Sequence, residues 1–568
     1  MNKILGLAVA LLLTACGGET QDTGKAGPAM QDVVLLHGGV IHTVNPAQPE
    51  AGAMAFTRAG EILAVGGYDE LRTAYPFAES LDLQGHTVVP GLIDAHGHLS
   101  NLALSLTHAQ LTGTRSKAEV IQRLQEFEQQ LDEDEWLLGR GWDQNDWPEQ
   151  AFPDRADLDK HFPDRPVWLT RIDGHAGWAS SAALATADRN LGGDWQEAGG
   201  YIHRDAQGQA TGILVDGAMA LVGQQVPDTS ENLKSRALDL ALQRMISLGL
   251  TGVHDPGLER AEMERYLRKI EAGAFPTRVY AMAGGAGATL DWLCALGGID
   301  HPSGRLHARA AKIYADGALG SRGAALLESY ADEPGNAGLL FHSPEALQTQ
   351  LRKVLDCGFQ AAVHAIGDAA NRQALDSYQQ LAGAFPDNPG RHRIEHVQML
   401  AEADVGRFAE LGVIASMQPT HATSDMYWVE QRVGPGRIRH AYAWRSLLDS
   451  GARLALGSDF PVEEVNPMLG IYAAVSRQDL DGTPEGGWYP AEALSRAEAL
   501  RGFTLDAAYA GFMESQVGSL APGKRADFLV LDRDIMAVPV RDIADTRVLQ
   551  TWLDGEQVFT AVLAQGSE

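Results

Sequence analysis

Cysteine is scarce in this chain: Cys16, Cys294 and Cys357 are the only three among 568 residues. No two of them have the spacing of a metal-binding pair, which excludes a cysteine-based zinc site. One disulfide is arithmetically open to them, although a chain of this length does not need it to hold a core. Basic residues are also short. Lys and Arg total 45 against 74 Asp and Glu, a net charge of −29. With no Lys/Arg-rich run either, the composition argues against a nucleic-acid partner. No apolar run is long enough to read as a membrane-spanning helix. What remains is ordinary globular composition, 45% hydrophobic and 21% charged, which rules out fibrous and wholly disordered classes.

The first residues bear on compartment. Lys3 precedes an apolar run from Ile4 to Leu13, of signal-peptide length. The run closes on Leu13-Thr14-Ala15-Cys16, which resembles the bacterial lipobox. That resemblance implies a signal peptide over 1–15, removed in the mature protein, and lipidation of Cys16. Residues 16–31 then form a flexible tether, and the acyl chains hold the protein to a membrane. The expected place is the bacterial cell envelope. Gly17 after the lipidated cysteine favours the outer membrane and its periplasmic face.

Short apolar runs alternate with turns over 32–90 and return after 511; they read as antiparallel strands, so both ends of the chain are expected to build one small β-sandwich domain. Between them, over 91–510, apolar runs alternate with helical stretches, the signature of βα units. Eight strand candidates start near Gly91, Leu250, Arg278, Ala310, Phe359, Arg393, Val413 and Leu454. Eight such units predict an α/β fold, a (β/α)8 TIM barrel. The span exceeds the roughly 250 residues typical of that fold, and the surplus lies at about 99–228. That insert after the first strand is expected to be a subdomain over the barrel mouth.

Polar residues sit where such strands end. His96 and His98 flank Gly97, and alternate residues of a strand face one side. His364 follows Gln360-Ala361-Ala362-Val363, His396 follows Arg393-Ile394-Glu395, Asp459 follows Leu454 to Ser458, and Lys312 lies near the end of its run. In a barrel those ends converge on the mouth that carries active sites. Imidazole and carboxylate donors together suit a divalent ion, zinc first by donor type.

The runs Pro90 to His98, Asp173-Gly174-His175-Ala176, Lys312 to Ser321, His364 to Asp368, Arg393 to His396 and Gly457-Ser458-Asp459 resemble the amidohydrolase superfamily, specifically its YtcJ-like branch, amidohydrolase family 3. The resemblance covers 33–560. It implies that His96 and His98 bind the more buried ion with Asp459, and that His364 and His396 bind a second. Lys312 occupies the place of a lysine that many members carry as a carbamate bridging both ions. The implied activity is hydrolysis of a non-peptide carbon–nitrogen bond in a small molecule. A bound ion acidifies water so that hydroxide exists at neutral pH. Asp459 is then expected to act as general base and acid. Deamination, or ester and lactone hydrolysis at the same site, and a non-catalytic ligand-binding lipoprotein are the alternatives. Candidate substrate contacts are Trp142 as an aromatic wall, Asp173, His175, Gln418 and His421 as hydrogen-bonding groups, and Arg322 toward an anionic group. His254 and Asp255 are expected to support the ligands from behind.

Overall fold

The computed structural model describes residues 32–562 apart from 130, 132–134, 173, 175, 199, 228–230, 386, 387 and 389. The expected signal peptide, tether and lipidation residue Cys16 lie outside the described residues, as do Asp173 and His175.

All eight expected runs form strands: β1 (Leu92–Asp94), β2 (Leu250–Leu258), β3 (Arg278–Gly284), β4 (Leu306–Tyr314), β5 (Gln360–Ala365), β6 (Arg393–His396), β7 (Ile414–Met417) and β8 (Arg453–Leu456). They lie parallel and side by side in chain order. Parallel strands covered on both faces carry apolar residues without alternation; every residue of β5, QAAVHA, is buried. The barrel interior is filled by side chains from different strands, among them Ile93, Tyr280, Ala310, Ala362, Ile414 and Ala455. The covering helices follow from local pattern. In Pro344–Asp356, Ser343 accepts the Ala346 amide, proline opens the first turn, and Leu347, Leu351, Val354 and Leu355 form the buried stripe.

The barrel is nearly closed. Across the seam between β8 and β1 the Ala95 amide donates to Leu456 O at 3.0 Å, and the Asp459 amide to His96 O at 2.6 Å. Ser458 donates its hydroxyl to Asp94 at 2.6 Å. Gly457 makes this approach feasible: a Cβ there would meet Asp94 Oδ1 at 2.4 Å and the His96 amide at 2.5 Å.

The termini share one mixed eight-stranded sheet. Phe528–Leu531 pairs antiparallel with Thr87–Pro90, stitching the two ends of the chain together. Val33–His42 forks, its first half pairing with Glu79–Asp82 and its second with Thr87–Pro90. Both of those pairings are parallel, where alternating runs and turns had pointed to antiparallel strands. The two wings face each other, with Phe56 packing 5.5 Å from Phe528 and 5.8 Å from Trp552. The sheet docks where barrel strands begin. Arg278, the first residue of β3, bonds Asp527 at 2.8 Å and Asp554 at 2.7 Å, and Gly249, just before β2, lies against Leu529.

The insert holds a second sheet of six strands between Ala109 and Asp216. Its core gathers Trp142, Trp147 and Trp178 with Leu111, Val120, Leu124 and Leu169. Cys294 and Cys357 are disulfide-bonded with Cα atoms 5.4 Å apart, joining the helices that follow β3 and β4. Trp142 is fully buried, its ring 6.0 Å from Trp147 and 5.9 Å from Trp178, and its indole N–H donates to Leu169 O at 3.0 Å. The expected aromatic wall is therefore a core residue of the insert. Trp142→Ala is expected to destabilise the protein by about 3–5 kcal/mol, read from a urea denaturation curve, while Trp142→Phe loses less.

Candidate metal centre

The C-terminal ends of the strands bring His96, His98 and Asp459 into one candidate cluster and place His396 beside Asp459, whereas His364 turns its Nε2 toward Gly317 O at 3.5 Å and Asp316 Oδ1 at 3.6 Å. His96 and His98 fall just beyond β1, on the bend that leads into the helix Leu99–Ser105. The bend still sets their rings 5.4 Å apart. Gly97 is the close-packed point between them, since a Cβ would meet the Phe460 ring at 2.3 Å. Asp459 reaches them from the loop after β8: its Oδ1 lies 3.1 Å from His98 Nε2 and 3.5 Å from His96 Nε2. His396 follows with its ring 4.8 Å from His96 and 4.6 Å from His364. Lys312 projects from β4, its Nζ 3.3 Å from His96 Nε2. Two ligand backbones are held in the left-handed region, His396 at φ 78° and Asp459 at φ 63°. Such strain in non-glycine residues clusters at functional sites.

The acceptors behind these rings fix which nitrogen is free. His96 Nδ1 donates to Glu395 Oε2 at 2.6 Å, and His396 Nδ1 to Gln418 Oε1 at 2.9 Å. Each ring thereby turns a bare Nε2 toward the centre. Glu395 is itself held by Arg393, whose guanidinium also bonds Ala95 O, Ser416 Oγ and His254 Nδ1. Asp255 accepts the Tyr266 hydroxyl at 2.7 Å, and its carboxyl acts electrostatically on His98.

Electrostatics prepare the same atoms. Burial, helped by the Lys312 charge, lowers His96 to about 4 and His364 to about 3. Burial and the neighbouring histidines hold His396 well below its ordinary range. These imidazoles are neutral at pH 7, the form that binds metal. Burial opposes ionisation of Asp459, yet the surrounding histidines outweigh it and hold the carboxyl well below the usual range. Burial lowers Lys312 to about 8, so part of it is the neutral amine that carbamate formation requires.

The donor set fits a divalent cation. Ligand atoms of His96, His98 and Asp459 all lie within 4.8 Å of one another, and so do those of His396, His421 and Asp459. Asp459 Oδ1 is buried and has no hydrogen-bond partner. A buried carboxylate oxygen with the Nε2 atoms of two imidazoles turned to it is the kind of arrangement that a cation would complete.

Other expected residues have different roles. Gln418 is buried and orients His396 rather than facing substrate. Arg322, expected to meet an anionic substrate group, is tied to Asp332 at 2.9 Å and Glu333 at 3.4 Å. Asp316 accepts the amides of Ala325, Ile366 and Gly367, fastening the loops after β4 and β5. Sequence reasoning missed Glu395 as the partner of His96. Strand alternation carries the signal, because Arg393 and Glu395 share one face of β6.

A barrel with this mouth defines a metal-dependent hydrolase. The amidohydrolase family model matches residues 79–559. The putative amidohydrolase YtcJ of Bacillus subtilis is 34% identical over 92% of this chain and 99% of its own length. The N-substituted formamide deformylase of Arthrobacter pascens is 30% identical over 93% of this chain and 98% of its own. An uncharacterized metal-dependent hydrolase from Pyrococcus horikoshii superposes with a TM-score of 0.75 at 26% identity, covering 89% of this chain and 99% of its own. The chain belongs to the amidohydrolase family, in the YtcJ-like group. Replacing Glu395 by Gln is expected to weaken metal affinity by about 10–100-fold, measured by chelator competition, with circular dichroism reporting the fold.

Proposed function

We propose that this protein hydrolyses the amide-type carbon–nitrogen bond of a small N-acyl or N-formyl amine. The observation that carries the reading is the convergence of His96, His98 and Asp459 on one point at the barrel mouth, beside a lysine of lowered pKa. The likeness to a deformylase of N-substituted formamides adds support for the bond type.

His96, His98 and Asp459 would hold one divalent ion, and His396 with His364 and Lys312 a second. A bound ion supplies Lewis acidity and a water of pKa near 7. Asp459 is ionised and buried, so it accepts the proton of the attacking water and returns it to the leaving nitrogen. The water oxygen adds to the carbonyl carbon, and once the nitrogen has taken the proton from Asp459 the carbon–nitrogen bond breaks as the carbonyl reforms, giving a carboxylic acid, or formate, and an amine. Glu395 and Gln418 keep the imidazoles in register through that exchange.

The location we propose is the cell envelope, with Cys16 as lipid anchor. A Cys294–Cys357 disulfide accords with an oxidising compartment outside the cytoplasm.

Two measurements test the activity. Dialysis against a chelator is expected to abolish hydrolysis of N-aryl formamides, and added Zn²⁺ to restore it; release of ammonia from amino-heterocycles instead of amine from formamides would replace the reading by deamination. Asp459→Asn is expected to lower kcat by about 10²–10⁴-fold in metal-loaded protein, read in steady-state kinetics. Near wild-type turnover would remove Asp459 from the proton path.

A further inference from the structure

His421 stands apart from the six expected ligands. It lies in the short helix Pro419–Asp425, which follows β7. Its ring is 7% exposed and nearly parallel to that of His396, centroids 6.1 Å apart. The side-chain amide of Gln398 donates to His421 Nδ1 at 3.1 Å. An imidazole nitrogen that accepts carries no proton, so neutral His421 bears its proton on Nε2. That Nε2 has no hydrogen-bond partner, and it faces Asp459 Oδ2 at 3.7 Å. Two lone pairs set opposite each other repel, whereas an N–H aimed at a carboxylate is attracted to it. Asp425 and Glu463 also act electrostatically on this histidine. Asp459 is thus addressed from two sides, Oδ1 by His96 and His98 and Oδ2 by His421.

We propose that His421 is a positioning residue: its Nε2–H grips the Oδ2 edge of Asp459, keeps Oδ1 turned to His96 and His98, and aligns the carboxylate for proton transfer. The catalytic half of this inference rests on the amide-hydrolase reading above; the tautomer and the contact rest on geometry alone. The separation exceeds an ordinary hydrogen bond, and unliganded sites commonly hold such contacts long until substrate closes them. The same ring could instead lend Nε2 to a cation with His396 and Asp459, and the experiment separates the two roles.

Wild type, His421→Ala and His421→Gln are loaded with Zn²⁺, dialysed, and assayed for bound metal, for kinetics on formanilide, and for histidine tautomers by ¹H–¹⁵N correlation of ¹⁵N-histidine-labelled protein. The positioning role predicts metal content equal to wild type in both variants. It predicts a kcat for the Ala variant lower by about 100-fold with KM little changed. The Gln variant, whose amide still offers a donor, recovers most of that loss. The resonance that disappears in the Ala variant shows the Nε2–H form. Loss of metal from the Ala variant would make His421 a ligand and overturn the inference. So would a rise in KM at constant kcat, or a Gln variant no better than Ala. If metal-loaded wild type leaves formanilide and other N-acyl amines intact, the amide-hydrolase reading fails on its own. The tautomer then decides the contact, and an Nδ1–H resonance for His421 overturns it.

Discussion

The contact on which the site depends is the seam where the last barrel strand meets the first. There the Asp459 amide donates to His96 O, the Ala95 amide to Leu456 O, and Ser458 closes on Asp94. Residues more than 360 positions apart in sequence are held there by backbone bonds, which lock relative position more firmly than side-chain contacts alone. The glycines on this seam, Gly457 and Gly97, leave no room for a Cβ. The left-handed backbone at Asp459 and His396 is tolerated because the surrounding strands over-determine it.

Around that seam the barrel mouth carries an unusual load of buried charge. Lys312 and Arg393 lie among Glu395 and Asp459, all nearly inaccessible to solvent. An apolar core of the same volume would fold at least as well. The arrangement therefore belongs to chemistry rather than to stability. It leaves three imidazoles neutral, one carboxylate ionised and one lysine near its midpoint at mildly alkaline pH. Arg393 is the hinge pin of this balance: it bonds Glu395, which bonds His96, and on its other side it bonds His254 and Ser416.

Much of this was legible in the sequence, and for a physical reason. Parallel strands buried on both faces appear as unbroken apolar runs, so Gln360-Ala361-Ala362-Val363 announced a strand and His364 its polar end. The convergence of His96, His98, His396, Lys312 and Asp459 follows from barrel topology once the strands are placed. What the sequence hid were pairings across the barrel. Glu395 sits beside His396 in the chain yet serves His96, and Gln418 was read as a substrate contact although it orients His396. Trp142 was misplaced because a Gly-Trp-Asp run has the same composition on a cavity wall as in a core. The parallel pairings of the forked terminal strand were hidden likewise, since run-and-turn spacing does not encode which neighbour a strand selects.

Both ends of the polypeptide are woven into a sheet that abuts the barrel where its strands begin, through Arg278 with Asp527 and Gly249 with Leu529. The ligands gather where those strands end. The first and last described strands therefore share the floor of the molecule, so a handle engineered onto that sheet would stand a barrel's length away from the ligands.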